Sequence, residues 1–242
     1  MRLWERIFGA SAIGLFFLAL FSFNAGAYEG TTVGHGGELS GTIKIKVPVP
    51  PNKVAKVTHN PDVCGETVED EAYVVNRANQ GIQNLLVSIE GVTKGKKRVS
   101  TTLVLTNQKC RFVPHALAGM PGDFVEIRNS DPVLHNTHLK LEGNTFLNVV
   151  MPPGGKNIKK EVTQAGFIKV KCDAHTFMNA DLYVMPNPYF ALTDDNGHFR
   201  ISEIPPGKYK VKIMGEGYVE MEKEVTIGPG EKKTMIADMS PR

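Results

Sequence analysis

The segment Cys172-Asp173-Ala174-His175-Thr176-Phe177-Met178 places a thiol, an imidazole and a thioether within one short loop. A second imidazole stands upstream, in Leu134-His135-Asn136. Two imidazoles, one thiolate and one weak thioether are the ligand types of a mononuclear blue-copper site, because soft sulfur suits Cu(I) and imidazole suits both oxidation states. Three candidate ligands share this loop, so the fold must bring His135 to it from elsewhere in the chain.

The residues that precede the loop alternate in polarity, as a half-buried strand does. In the stretch 166–171, this alternation puts Ile168 and Val170 on the same side as Cys172. Gly and Pro turns separate further short segments of strand character, at 41–47, 82–89, 101–105, 124–127 and 180–185. No amphipathic helix period follows the leader. The pattern predicts an all-β protein.

The motifs around the loop resemble the cupredoxin family. They are the Cys-x2-His-x2-Met loop, the separate His135-Asn136, and the stretch Gly122-Asp123-Phe124-Val125-Glu126-Ile127 followed by Asn129. The short loop is most similar to that of amicyanin, and the plastocyanin-like proteins share the pattern. The resemblance covers roughly residues 83–185 and implies a Greek-key β-sandwich.

The same resemblance implies the role of each site residue. His135, Cys172 and His175 are the expected strong ligands of one copper ion, and Met178 is the expected axial ligand. Asn136 is expected to tie the two ligand loops together and to donate to the thiolate. In the family the edge of the second histidine is the electron exit, so an exposed edge is expected for His175.

The sequence pattern restarts after Asn187. A hairpin with an Asn-Gly turn is predicted at 190–201, and Ile204-Pro205-Pro206-Gly207-Lys208-Tyr209 follows it. This sequence pattern resembles the carboxypeptidase-regulatory-like, or prealbumin-like, β-sandwich, a structural family without catalysis. Because the strands at 41–47 and 81–89 also look like that family's opening strands, the copper domain is expected to be inserted in, or packed onto, a split sandwich.

The N-terminus has the pattern of a secretory signal. Two arginines precede an apolar run from Ile7 to Phe23, and Ala25-Gly26-Ala27 offers a cleavage site. We therefore expect a signal peptide at 1–27 and a periplasmic or secreted protein, with membrane attachment only if the segment stays uncleaved. The expected organisation continues with a leader and strand region, possibly part of the split sandwich, a cupredoxin domain and a smaller sandwich segment, at 28–82, 83–186 and 187–242.

Two of the three cysteines are left after Cys172 is assigned to copper. Because export leads to an oxidising compartment, we favour a disulfide between Cys64 and Cys110. An alternative stays open at this point. The pairs His59-x4-Cys64 and Cys110-x4-His115 are mirror images and could form a second metal site.

Composition excludes some functions. With 28 basic and 25 acidic residues the net charge is +3 and no basic stripe is present, which disfavours nucleic-acid binding. No Ser-His-Asp set, paired acids or phosphate loop indicates an enzyme. The leading interpretation is a periplasmic single-electron carrier that meets redox protein partners. The alternatives are copper storage or delivery, and a structural accessory subunit of a redox complex.

Overall fold

The structure is a computed structural model that describes residues 28–242. The predicted signal peptide lies outside the described residues. Among the described residues, no helix is long and apolar enough to cross a membrane.

Strands make up almost all of the regular structure, as the alternating apolar pattern predicts. The single described helix is α1, Pro61–Cys64. The strands in chain order are β1 Glu29–Thr31, β2 Gly37–Ile45, β3 Val54–Lys56, β4 Thr67–Glu69, β5 Leu86–Glu90, β6 Lys94–Lys96, β7 Thr102–Gln108, β8 Arg111–Val113, β9 Ala116–Gly119, β10 Phe124–Asn129, β11 His135–Leu141, β12 Asn144–Met151, β13 Ile158–Glu161, β14 Gly166–Lys171, β15 Asn179–Val184, β16 Phe190–Leu192, β17 His198–Ile204, β18 Gly207–Met214, β19 Met221–Ile227 and β20 Lys232–Met239.

Two sheets enclose the core beneath the Cys172 loop, and we call this unit the ligand sandwich. One sheet has the order β13-β10-β7-β8 and the other has the order β12-β11-β14-β15-β9. Leu105 and Ile127 from the first sheet meet Leu139, Ile168 and Val170 from the second in one buried cluster. The alternating residues Ile168 and Val170 therefore point inward, because successive side chains of a strand face opposite sides.

A second sandwich is built from both ends of the described chain, and we call it the split sandwich. Its sheets have the orders β16-β5-β18-β19 and β17-β2-β20. Its core joins Ile43 of β2 and Val87 of β5 to Val211, Ile213 and other residues of the C-terminal strands. Strands from both sides of the ligand sandwich must therefore meet before this core can form. The predicted all-β class, with one larger and one smaller β-sandwich, is confirmed.

The structure differs from the predicted start of the copper domain at residue 83. Strand β5, at Leu86–Glu90, pairs with β16 and β18 in the split sandwich. The first strand of the ligand sandwich is β7, which begins at Thr102. Sequence alone leaves β5 ambiguous because an apolar strand fits either core, and only its hydrogen-bonded neighbours decide between them.

A short antiparallel hairpin lies outside the four large sheets. Strands β3 and β4 pair from Val54↔Glu69 to Lys56↔Thr67, and α1 forms part of the connection between them. We call residues 54–69 the capping hairpin. A disulfide joins Cys64, at the end of α1, to Cys110, in the turn between β7 and β8 of the ligand sandwich.

Candidate metal centre

The Cys172 loop is the connection of an antiparallel hairpin. Lys171 at the end of β14 pairs with Asn179 at the start of β15, so residues 172–178 close the end of the ladder. Two backbone bonds hold the loop in shape: the N–H of Met178 donates to the carbonyl of His175 at 2.8 Å, and the N–H of Cys172 donates to Met178 at 3.4 Å. The loop is compact, which keeps its three candidate ligands close together.

His135 reaches the loop because β11 lies beside β14. His138 pairs with Lys171, so the start of β11 passes the end of β14, where the loop begins. Asn129 fixes the approach to this strand, since its side-chain amide donates to the carbonyls of Val133 at 2.9 Å and Met151 at 2.8 Å. The position of His135 therefore depends on sheet pairing and on Asn129, the last residue of β10.

Three candidate ligand atoms converge in the interior. One atom each from His135, Cys172 and His175 lies within 4.8 Å of the other two, and all three residues are buried. The Cys172 Sγ lies 3.8 Å from the His175 Nδ1. Met178 is buried in the same core and follows His175 by three residues. These are the four residues that the motif resemblance assigns to copper.

Each histidine is held by its outer nitrogen. The His135 Nε2 lies 2.9 Å from Asp131 Oδ2, and the His175 Nε2 lies 3.2 Å from Asn60 Oδ1. Both partners are oxygen acceptors, so each Nε2 carries the hydrogen and each Nδ1 keeps a lone pair. The His135 Nδ1 is buried and has no hydrogen-bond partner among the described residues.

Burial favours the neutral form of both imidazoles. It lowers the pKa of His135, and the hydrogen bond and charge of Asp131 only partly oppose it. Burial is also the main cause that lowers the pKa of His175, helped by the nearby His135 and His59. Neutral imidazole is the form that binds metals. A buried Nδ1 without a partner, beside a thiol and a second Nδ1, fits a copper ion in its donor chemistry.

Asn136 links the two ligand segments as expected, but it does so as a hydrogen-bond acceptor and does not donate to the Cys172 sulfur. Its Oδ1 accepts the backbone N–H of Asp173 at 2.6 Å and that of Ala174 at 3.3 Å, which ties β11 to the loop. The Cys172 thiol also donates to this oxygen, at 3.4 Å. Asn136 is thus an acceptor and not a donor to sulfur, while the backbone N–H of His175 donates to Sγ at 3.4 Å.

The expectation of an exposed His175 edge is wrong. The residue is only 1% exposed, because the capping hairpin places Asn60 against its Nε2. The ring of His59 also stands edge-on to that of His175, with 6.5 Å between centroids. The motif resemblance carries no information on this hairpin, which precedes the copper domain in the chain.

The structure contains no second metal site at the two mirror-image pairs. The sulfurs of Cys64 and Cys110 are bonded to each other, so neither is free to bind a metal. His115 instead lies 3.0 Å from a carboxylate oxygen of Glu216, and His59 lies beside His175. Disulfide formation removes both thiolates that the alternative requires.

Two residues of this centre were missed in the sequence. Asp131 follows Asn129 by two residues and precedes His135 by four, and Asn60 stands before Pro61. The Asn-x-Asp pattern does signal a local turn, and the Asp131 N–H donates to Asn129 Oδ1 at 3.0 Å. No local pattern signals Asn60, because its partner is 115 residues away in the chain.

Comparisons with family models and with solved structures find similarities to parts of this chain. Residues 176–240 match the family model of the carboxypeptidase regulatory-like domain. No curated protein matches the sequence closely enough to count as a relative.

Several solved structures are similar to part of this chain. Amicyanin from Paracoccus versutus is 18% identical, with 41% of this chain and 97% of that chain covered and a TM-score of 0.32. A purple cupredoxin from Nitrosopumilus maritimus is 18% identical over 36% of this chain and 100% of that chain, with a TM-score of 0.30. A copper-containing nitrite reductase from Thermus scotoductus SA-01 is 17% identical over 40% and 25%, with a TM-score of 0.31.

Proposed function

We propose that this chain is an exported blue-copper protein that carries single electrons between redox partners. The observation that carries the proposal is the buried His135 Nδ1, which lacks a hydrogen-bond partner in the described part of the chain and lies beside Cys172 and His175. An unpaired buried polar atom costs roughly 1–3 kcal/mol, and a metal at this point would offset that cost.

Each residue of the donor cluster would have a separate role in holding the copper ion. His135 and His175 would present neutral Nδ1 atoms, Cys172 would provide the thiolate, and Met178 would be the weak fourth ligand. Bound copper would supply one-electron cycling between Cu(II) and Cu(I). Asp131 and Asn60 hold the imidazoles in the tautomer that this requires, and burial of all three strong donors excludes water.

Burial also supports a carrier over an enzyme. A copper enzyme needs an open coordination position for its substrate, whereas His135, Cys172 and His175 are each at most 1% exposed. Preformed, buried ligands would change little between oxidation states, which favours rapid electron transfer. The predicted signal peptide supports export to the periplasm or beyond.

The experiment is titration of the metal-free full chain with Cu(II), followed by absorption spectroscopy. We expect one equivalent to bind and to produce an intense charge-transfer band that disappears and returns through cycles of reduction and oxidation. Cys172→Ser should abolish the band, because it needs the copper–sulfur bond. His138→Ala is the matched control, since His138 contacts Asp173 and Thr145 instead of the donor cluster.

The result also separates the other functions. Colourless, loosely bound copper in the wild-type chain would favour storage or delivery. A Cys172→Ser variant that remains intensely coloured would overturn the ligand assignment and the carrier function with it.

A further inference from the structure

The capping hairpin covers the Nε2 edge of the His175 ring. Asn60 accepts the Nε2 hydrogen of His175, and this asparagine lies at the tip of the capping hairpin. Its backbone has φ 54° and ψ 47°, the left-handed region, which Asn tolerates better than most residues. Asn60 therefore both tolerates the left-handed backbone of the turn and accepts a hydrogen bond from the His175 imidazole.

The hairpin is fastened to the ligand sandwich close to this contact. Cys64, four residues after Asn60, is bonded to Cys110, and Val63 packs against the core of the sandwich. Beyond the hairpin, Glu71 forms an ion pair of 3.0 Å with Arg111. The hairpin itself is short, with a helix of one turn and a ladder of three residue pairs. The disulfide is its covalent attachment to the ligand sandwich.

Cys110, the second cysteine of this disulfide, is linked to His135 through Asp131. The backbone N–H of Cys110 donates to Asp131 Oδ2 at 2.8 Å, and the same oxygen lies 2.9 Å from the His135 Nε2. The backbone N–H of Lys109 donates to the other carboxylate oxygen at 2.6 Å. One disulfide thus joins the turn that supports His135 to the hairpin that covers His175.

We propose that Asn60 is a positioning residue for His175 and that the Cys64–Cys110 disulfide holds it in place, so that reduction of this disulfide uncovers the imidazole edge. With the disulfide formed, the closed state, Asn60 shields the Nε2 edge of His175 from partners and fixes the Nε2–H tautomer. The open state leaves the edge accessible. The consequence for electron transfer rests on the proposed function, but the covering of His175 does not.

The chemistry is ordinary thiol–disulfide exchange with a dithiol reductant. A thiolate of the reductant attacks the sulfur of Cys64, which is only partly buried, and the S–S bond breaks to release the Cys110 thiolate. The second reductant thiol then resolves the mixed disulfide. Two electrons and two protons pass to Cys64 and Cys110, and the reductant becomes a disulfide. Cys110 is fully buried, so attack on Cys64 is the accessible route.

The test measures exposure of His175 in the metal-free full chain, with diethyl pyrocarbonate as the probe. This reagent modifies accessible neutral imidazole, and peptide mass spectrometry reports each histidine separately at low extents of modification. In the oxidised protein we expect His175 to react at least about tenfold more slowly than His198, whose side chain is 58% exposed. After reduction and removal of the reductant, or in Cys64→Ser, we expect its rate to rise about tenfold.

His135 distinguishes opening of the hairpin from loss of the fold. It is 0% exposed and lies beneath the sandwich surface, so it should stay protected when only the hairpin opens. Reaction of His135 together with His175 would mean general unfolding and would overturn the proposal. Continued protection of His175 after reduction would overturn it as well.

Two Asn60 variants provide matched controls with the disulfide intact. Asn60→Gly keeps the left-handed backbone but loses the acceptor, so we expect faster modification of His175. Asn60→Asp keeps both the backbone preference and an acceptor oxygen, and it should protect His175 as the wild type does. Equal rates in both variants would show that the acceptor does not position the ring. None of these rates requires bound copper, so failure of the proposed function would leave the test intact.

Discussion

Single atoms decide the chemistry of the donor cluster. The buried His135 Nδ1 has no hydrogen-bond partner within residues 28–242, whereas the backbone N–H groups of Asp173 and His175 in the loop both find acceptors. Asp131 and Asn60 accept from the opposite ring nitrogens of the two histidines. The donor cluster is therefore already organised without a metal, which would limit the structural change on binding one.

Met178→Gln tests the axial position. We expect copper to remain bound and the reduction potential to fall by at least about 59 mV, a tenfold change for one electron, because a harder oxygen favours Cu(II). Cyclic voltammetry of the copper-loaded protein measures this change. Met185→Gln is the control, since Met185 follows β15 outside the loop. An unchanged potential in Met178→Gln would remove Met178 from the ligand set.

Asn136→Ala tests the link between β11 and the loop. The change leaves the N–H groups of Asp173 and Ala174 without their acceptor, so we expect the free energy of unfolding of the metal-free protein to fall by about 1–3 kcal/mol. Urea denaturation gives this value. Asn148→Ala should cost less, because the Asn148 side chain hydrogen-bonds to the side chains of Asn136 and Asp173 and not to the loop backbone. Equal losses in the two variants would contradict the role given to the Asn136 oxygen.

At the scale of elements, close backbone contact joins a loop to a hairpin turn in the split sandwich. Gly81 lies so close to the Asn196–Gly197 turn that an added Cβ would overlap the Asn196 carbonyl. The side chains of Asn76 and Asn79 donate to Asn196 Oδ1 at 2.9 and 3.2 Å and hold the two segments together. The same turn leads into β17, which pairs with β2 from His198↔Thr42 onwards.

Gly81→Ala should therefore be strongly destabilising. Because backbone atoms cannot move aside as a flexible side chain can, we expect a loss of about 2–4 kcal/mol in the free energy of unfolding, within the range of overpacked sites. Thermal and urea denaturation measure it. Gly34→Ala is the matched control, since nothing lies within 4 Å of its added Cβ. A Gly81→Ala variant as stable as Gly34→Ala would show that the turn adapts.

At the scale of the whole molecule, a junction of charged and polar side chains connects the two sandwiches. Glu216 of the split sandwich lies 3.0 Å from both His115 Nε2 and Lys169 Nζ, two groups of the ligand sandwich. Lys169 also lies 2.8 Å from Asp181. Burial raises the pKa of Glu216, but the hydrogen bond from His115 and the charge of Lys169 outweigh it and lower this pKa to about 2.

This depressed pKa predicts how the junction responds to pH. The ionised Glu216 stabilises the fold fully above its unfolded pKa of about 4.5, and this contribution is lost as the pH falls towards about 2. Glu216→Gln should therefore cost about 1–2 kcal/mol at pH 7, a modest value because the side chain is partly exposed. Its difference from wild type should shrink between pH 4.5 and 2. Urea denaturation across this range measures it.

The exposed pair Lys210–Glu222 supplies the control for this experiment. Glu222→Gln should change stability by less than about 1 kcal/mol. A Glu216→Gln effect that persists unchanged down to pH 2 would show that charge is not its cause.

Truncation after Pro186 tests whether the split sandwich is required. It removes β17 and β20, the two neighbours of β2, and β16 and β18, the two neighbours of β5. Buried residues such as Ile43 and Val87 would then face water, so we expect an aggregating product, which size-exclusion chromatography detects. A monomeric truncated chain with the full copper band would show that the ligand sandwich folds without its partner.

The sequence by itself determined the class of fold and indicated the candidate ligands. Cys172, His175 and Met178 lie within one loop, and alternating residues such as Ile168 and Val170 define the strands, so local spacing was sufficient for both. Tertiary structure alone decided three other features: the membership of β5 in the split sandwich, the support of His135 by Asp131, and the covering of His175 by Asn60. The pairing of β5 and the contact of Asn60 with His175 join residues far apart in the chain, which local patterns do not encode. Asp131 is only four residues before His135. Its carboxylate is nevertheless held by the backbone N–H groups of Lys109 and Cys110, which are 22 and 21 residues away.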